Sequence, residues 1–258
     1  KISKILLKKN TLIDLSADFR LKKSNDFFKW YKIKHKAKNM IKNSIYALPE
    51  INRNNIKNNK IISCPGCYPT SILLPLIPLL KNKLISNNNI IIDSKSGYSG
   101  AGRGVHKKYI KKNLYESLSA YGITTHRHNS EIQQELDLCT GEKNNFQFTP
   151  HLTPMFRGIL STIYVDLRRG VTKNKVNLVL NNYFKKEIFV NIAKPNTLLS
   201  TNDVINTNKC IISVCKSNHK NKLIILSVID NLIKGGSGQA VQNMNILYNL
   251  NENEGLNA

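Results

Sequence analysis

Two stretches of the 258-residue chain crowd reactive side chains together, "SCPGCYPTS" at 63–71 and "YGITTHRHNSEI" at 121–132. In the first, Cys64 and Cys67 have the spacing of a redox dithiol or of half a zinc site. Neither reading finds support. A zinc site needs a second ligand pair, and Cys139, Cys210 and Cys215 stand alone in the sequence. A thioredoxin-like pair belongs soon after the first strand of a small domain. As a single nucleophile Cys67 makes better sense. Pro65-Gly66 turns the chain out of a strand, and Pro69 suits the first turn of a helix. Cys67 would then sit at a helix N-terminus, which favours a thiolate and offers N–H groups to an oxyanion. Taken alone, the stretch fits a buried structural cysteine equally well.

The second stretch tips that balance. A cysteine nucleophile needs an acid/base that titrates near neutrality and, for an anionic substrate, a fixed cation. His126, Arg127 and His128 supply both within three residues, and Glu131 can orient an imidazole. In an extended segment His126 and His128 point the same way and Arg127 the other. A solvated basic loop is the competing reading. His151, in "FTPHLTP", is the next candidate base.

The elements that must position these residues follow from periodicity. "SKILLKK" reads as the end of a helix and "TLIDLSADFRL" as a short strand running into a polar turn at Ser16, Ala17 and Asp18. Residues 52–60, "NRNNIKNNK", read as a polar connection. "TSILLPLIPLL" has helical length, with Pro75 and Pro78 expected to kink or shorten it. "NIIID" is a buried strand opening into a loop rich in glycine, "SKSGYSGAGRG". "GILSTIYVDL" reads as a strand, "KVNLVLNNYF" as a helix, and "KCIISVC" with "KLIILSVID" as a hairpin. The chain closes with a glycine turn into a helix around 241–250, whose apolar Ala240, Val241, Met244, Leu247 and Tyr248 need a covering surface. This order suggests an α/β nucleotide-type domain joined to an α+β domain.

Composition narrows the class further. A net charge of +23 suggests a polyanionic partner, but 35 Asn and abundant Ile accompany the Lys, a mixture typical of A/T-rich codons. The lysines are scattered rather than gathered in a stripe, so a nucleic-acid partner is not expected. No apolar run reaches the length of a membrane span. Five cysteines, an odd number, argue for a reducing compartment. The chain begins with Lys, which suggests a trimmed chain.

In chain order, "LIDLSADFRL", "PGCYPTS", "DSKSGYSGAGR", "YGITTHRHNSEI", "FTPHLTPMFRGILSTIYV" and "DNLIKGGSGQAVQNMN" resemble the N-acetyl-γ-glutamyl-phosphate reductases of arginine biosynthesis. Six long motifs in register are far more specific than a lone glycine pattern. The resemblance implies an α/β plus α+β fold. The C-terminal end of a Rossmann NADP-binding domain spans 1–66. A glyceraldehyde-phosphate-dehydrogenase-like catalytic and dimerisation domain spans 67–235. A helix in 236–258 returns to the nucleotide-binding domain. The implied activity is NADPH-dependent reduction of the acyl phosphate to N-acetylglutamate 5-semialdehyde through a cysteine thioester. The implied setting is a cytoplasmic homodimer or homotetramer.

Matched residue by residue, Cys67 is the implied nucleophile and His126 and His128 the acid/base pair, with His128 favoured. Arg103, Arg127, Arg157 and Tyr121 are candidate substrate contacts. Ser16, Ser96, Gly97, Ser99, Gly100, Asn231 and Gln239 are candidates for the NADP site, and no metal is expected. Two departures lie near the chemistry: Cys64 stands where the family has Asn, and Asn129-Ser130 where it has Thr-Pro or similar. A glycine-rich phosphate loop is expected in a segment preceding Lys1. The competing functions are a basic non-catalytic or nucleic-acid-binding relative, which needs a basic face interleaved with aromatics, and a reductase of aspartyl phosphate, against which "HRH" argues.

Overall fold

The computed structural model describes residues 2–101 and 116–258. After a short helix α1 (Ile2–Leu6), strands β1 (Leu12–Asp14), β2 (Ser44–Tyr46) and β3 (Ile61–Ser63) form a parallel sheet in the order β1-β3-β2. The central β3 is buried along its whole length, as a parallel strand covered on both faces requires. Helices α2 (Ser24–Tyr31) and α3 (Pro49–Ile56) belong to the same region. Helix α3 corrects the reading of 52–60 as a connection. Pro49 opens its first turn, and the fully buried Ile56 anchors its end against Ala47, Ile62 and Ile246. One apolar residue among asparagines is enough when it meets a core.

From the end of β3 the chain turns into α4 (Cys67–Lys81), in which every residue from Tyr68 to Leu80 is buried. A helix apolar all round belongs inside a core. Pro75 and Pro78 each remove an intrahelical donor, yet the helix runs unbroken to Lys81, because packing on every side holds it. The expected kink or shortening is absent.

The second sheet has seven strands, β4 (Ile90–Gly97), β5 (Ser119–Ala120), β6 (Phe146–Thr153), β7 (Ile159–Asp166), β8 (Val190–Ile192), β9 (Cys210–Lys216) and β10 (Lys222–Ile229). Its order is β5-β6-β4-β7-β10-β9-β8, with β9 and β10 antiparallel as the hairpin reading requires. Helices α4, α5 (His128–Thr140) and α6 (Lys173–Phe184) supply the apolar layer on one face, where Leu73, Leu76, Leu136 and Leu180 join Ile92, Ile163, Ile212 and Ile225. The opposite face leaves the paired residues Ile91 and Tyr164 about 40% exposed. Burial alternates along β4 and β7 with the period of two that a sheet covered on one side produces.

A π-helical turn, Ile233–Ser237, leads into the last helix, α7 (Gly238–Leu247). Here the apolar stripe read from the sequence is corrected. Helix α7 buries Gln239, Gln242, Asn243 and Ile246, while Met244 and Tyr248 stay exposed. Its amides find partners inside, and that outweighs hydropathy: Gln239 donates to Thr70, Gln242 to Glu50, and Asn243 to the Ala47 carbonyl. The helix packs on α3 and β1.

Candidate active site

Cys67 is the first residue of α4, with Gly66 extended before it. Two glycines wall it. A Cβ on Gly235 would stand 2.6 Å from the Cys67 Cβ, and a Cβ on Gly66 would stand 2.4 Å from His128 Nε2. The His128 ring therefore lies on the residue that precedes the candidate nucleophile. Burial pushes the Cys67 thiol up to about 11, against the pull of the Tyr68 and Cys67 N–H groups and the Arg20 charge. The helix N-terminus acts in the expected direction and desolvation outweighs it, so the resting thiol is neutral. Burial raises Cys64 further, to about 12. Its Sγ faces the Asn243 amide at 3.9 Å, and all five cysteines are free.

The two histidines meet through a turn, not through an extended strand. His126 N–H donates to the Gly122 carbonyl at 2.7 Å, and His128 opens α5. The rings come to 4.8 Å between centroids. His128 N–H donates to His126 Nδ1 at 3.2 Å, so a neutral His126 carries its proton on Nε2. Burial holds both imidazoles down to about 3; the neighbouring His128 and Arg127 add to this at His126, and Arg20 and Arg127 at His128. Both are neutral at physiological pH and open to a proton, but neither titrates near neutrality as the sequence reading asks of an acid/base. His128 Nδ1 is buried with no protein partner. Tyr68, Tyr121 and Phe148 pack edge-on around His126, and Tyr121 OH donates to Tyr68 OH at 3.2 Å. His151 lies on β6 with Nδ1 3.0 Å from Asp93 Oδ1, and Tyr68 OH donates to its carbonyl.

Glu131, fully buried on the first turn of α5, joins these parts. Its Oε2 accepts from Gly66 N–H at 2.9 Å and from Tyr46 OH at 3.0 Å. Its Oε1 accepts from Arg20 at 3.0 Å and lies 3.9 Å from His128 Nε2. Sequence reasoning named Glu131 but missed Arg20 and Tyr46. Arg20 stood inside the motif "LIDLSADFRL", whereas Tyr46 gave no signal.

The other candidates divide. Ser96, Ser99, Gly100 and Asn231 gather, since a Cβ on Gly100 would lie 3.2 Å from Ser96 Oγ and 3.3 Å from Asn231 Nδ2, and Asn231 donates to Ser99 Oγ. Asn231 also accepts from Gly158 N–H at 2.6 Å. Gly97 is packed closely, because a Cβ there would strike the Phe156 carbonyl at 2.6 Å. Gln239 keeps a buried, unpartnered Oε1 at the start of α7. Ser16 lies in an exposed turn just beyond β1, where an open parallel sheet binds ligands. The orphaned Gln239 amide oxygen and the exposed turn beyond a parallel strand are groups that a polar cofactor can partner. Arg157 is paired with the buried Asp230 at 3.1 Å, Arg127 lies over the Tyr31 ring at 5.2 Å, and Arg103 lies outside the described residues. Among the described residues no His/Cys/Asp/Glu group has the geometry of a metal site, and no helix is long and apolar enough to cross a membrane.

Residues 67–231 match the family model described as semialdehyde dehydrogenase, dimerisation domain. The chain is 46% identical over 252 residues to the N-acetyl-gamma-glutamyl-phosphate reductase of Desulforamulus reducens, covering 98% of this chain and 73% of that one. It is 46% identical over 255 residues to the enzyme of the same name from Vesicomyosocius okutanii, covering 99% and 74%. In three dimensions it resembles the aspartate semialdehyde dehydrogenase II of Vibrio cholerae, with a TM-score of 0.68 at 16% identity over 92% of this chain and 72% of that one.

Proposed function

Because the chain belongs to the N-acetyl-γ-glutamyl-phosphate reductase family, we propose that its chemistry runs through Cys67 as nucleophile and His128 as acid/base. The enzyme reduces N-acetylglutamyl 5-phosphate to N-acetylglutamate 5-semialdehyde with release of phosphate, a step of arginine biosynthesis. The observation that carries the residue assignment is the His128 ring lying on Gly66, next to a thiol at the N-terminus of α4.

Cys67 attacks the acyl carbon as the neutral His128 takes its proton, and phosphate leaves a thioester on sulfur. The freed N–H groups at the start of α4 stabilise negative charge developing beside Cys67. The nicotinamide cofactor, when bound, supplies the hydride that reduces the thioester. Expulsion of the Cys67 thiolate then releases the aldehyde, with His128 moving the proton at sulfur. Cys67 and both histidines are partly buried, which limits the access of water to the thioester. His126 and Tyr121 are the proposed substrate contacts beside it, with Arg103, Arg127 and Arg157 as candidate anion partners.

We assign the cofactor as NADPH on the family resemblance, with Ser16, Ser96, Gly97, Ser99, Gly100, Asn231 and Gln239 as the residues that would face it. A kcat/KM favouring NADH over NADPH would overturn that choice. The proposed domains are 1–66, 67–235 and 236–258, and the proposed assembly is a cytoplasmic homodimer or homotetramer. The match to a dimerisation domain and the exposed Ile91–Tyr164 sheet face support self-association, and five free cysteines support a reducing compartment.

The test runs in the phosphorolytic direction, with N-acetylglutamate semialdehyde, phosphate and NADP⁺. His128→Asn should lower kcat about 100-fold with KM nearly unchanged, since proton transfer acts mainly on the transition state. His126→Asn should instead raise KM. Full kcat in His128→Asn would remove His128 from the chemistry and turn attention to His151.

A further inference from the structure

We propose that Arg20 is a positioning residue for the reduction, locking the Glu131 carboxylate and the turn before Cys67 into one unit. Its side chain is only 10% exposed and fans out to three segments. Nε donates to the Cys64 carbonyl at 2.8 Å, Nη1 to Glu131 Oε1 at 3.0 Å, and Nη2 to the Leu15 carbonyl at 2.9 Å. These acceptors lie beyond β1, at the entry to α4 and on the first turn of α5. One guanidinium therefore ties the end of a strand in the small sheet to both elements that carry the proposed chemistry.

The connection to the reaction passes through Glu131. The carboxylate that Arg20 holds is also the acceptor for Gly66 N–H, and Gly66 is where the His128 ring rests and where Cys67 begins. If Glu131 moves, Gly66 loses its acceptor, and the nucleophile and base lose their spacing. Among the described residues Arg20 is the only Arg or Lys in ion-pair contact with Glu131, and the other neighbour, His128, is neutral. A buried carboxylate deprived of its cation is strongly unfavourable and rearranges. The Arg20 charge also favours the Cys67 thiolate. Three of its five N–H donors are engaged by protein acceptors, one on each nitrogen, and the proposed role of Arg20 is to act through Glu131.

Lysine cannot reproduce this arrangement. Its single ammonium restores the charge beside Glu131 but not the planar fork that reaches two carbonyls as well. The contact at residue 64 is to a backbone carbonyl, so it does not depend on whether Cys or Asn stands there.

The experiment compares Arg20→Gln, Arg20→Lys, Glu131→Gln and the double variant Arg20→Gln/Glu131→Gln in the full-length protein, with steady-state kinetics and thermal melting. The inference rests on the reading of Cys67 and His128, so Cys67→Ser is run beside them; activity in that variant would sink the reading of the site independently of Arg20. Arg20→Gln should lower kcat about 100-fold with KM within about threefold, the scale on which a small misplacement acts. Arg20→Lys should fall about tenfold, between Gln and the native residue. The double variant should lie within about threefold of Glu131→Gln, because residues acting as a unit are not additive. Multiplying losses in the double variant, or a raised KM with kcat intact, would overturn the proposal. Should Arg20→Gln not fold, Arg20→Lys carries the same division between kcat and KM.

Discussion

At the scale of single residues, the helix N-terminus and burial pull the Cys67 thiol in opposite directions, and burial prevails. The sequence showed which end of α4 the cysteine occupies, but not how deep that end lies, because depth depends on Gly235 and His128, far away in the chain. Alkylation of the native enzyme should therefore be slow at pH 7, accelerate toward about 11, and label Cys67 before Cys64. Cys64 modified first would reverse the assignment. Cys64→Asn, which restores the family residue, should leave kcat unchanged or higher, because the Arg20 contact uses the backbone there. The histidines give a second pH signature. Their ordinary value of 6.5 falls to about 3 in the fold, so between those values the unfolded chain binds protons that the folded chain refuses. Their contribution to stability is complete above about 6.5 and drains away as the pH falls toward 3. Melting temperature plotted against pH should flatten over that window when both histidines become Asn; an unaltered slope would show that the rings are not buried as neutral groups.

Among the elements, strands and apolar helices were legible because their periodicity is local, and the hairpin of β9 and β10 lies where "KCIISVC" and "KLIILSVID" put it. Legibility ended where tertiary contacts reverse a local rule. Two prolines failed to break α4, since a helix sealed on all sides has no solvent-facing alternative. Three polar amides turned inward on α7, since Thr70, Glu50 and the Ala47 carbonyl waited for them. The "HRH" segment kept its histidines together by a means other than the extended geometry that alternation suggests, a tight turn into α5. The glycines beside Cys67 follow the same logic. Gly66 has an ordinary extended backbone, so its lack of a side chain answers to the His128 ring and not to conformation. Gly66→Ala and Gly235→Ala should each cost about 1–3 kcal/mol by overpacking and lower kcat sharply. Gly141→Ala provides the contrast. Gly141 has φ +74° and nothing within 4 Å of a Cβ, so that change should cost about 1–2 kcal/mol of stability without touching kcat. Equal kcat losses at all three glycines would mean that activity merely tracks stability.

Across the whole molecule, a buried polar network ties the first region of the chain to its end. Lys234, with no exposed surface, pairs with the equally buried Glu50 of α3, and Gln242 of α7 bonds to both. Burial alone would raise the Glu50 carboxyl; the Lys234 charge overrides it and holds the carboxyl below 4.5. The network adjoins the chemistry directly, because Lys234 precedes the Gly235 that walls Cys67. Nothing in the sequence announced this pair, whose members lie 184 residues apart. Removing one charge strands the other in a dry interior, so Lys234→Met should destabilise the fold by about 3–5 kcal/mol, whereas Lys234→Met with Glu50→Gln should recover most of that loss. Denaturant titration measures both. If the pair also fixes the Gly235 wall, the double variant should fold nearly as well as the native enzyme yet turn over more slowly, since stability returns with neutrality while the tie between α3 and the wall does not. A double variant with native stability and native kcat would confine Lys234 and Glu50 to the fold, and one as unstable as Lys234→Met would show that packing, not charge balance, sets their contribution.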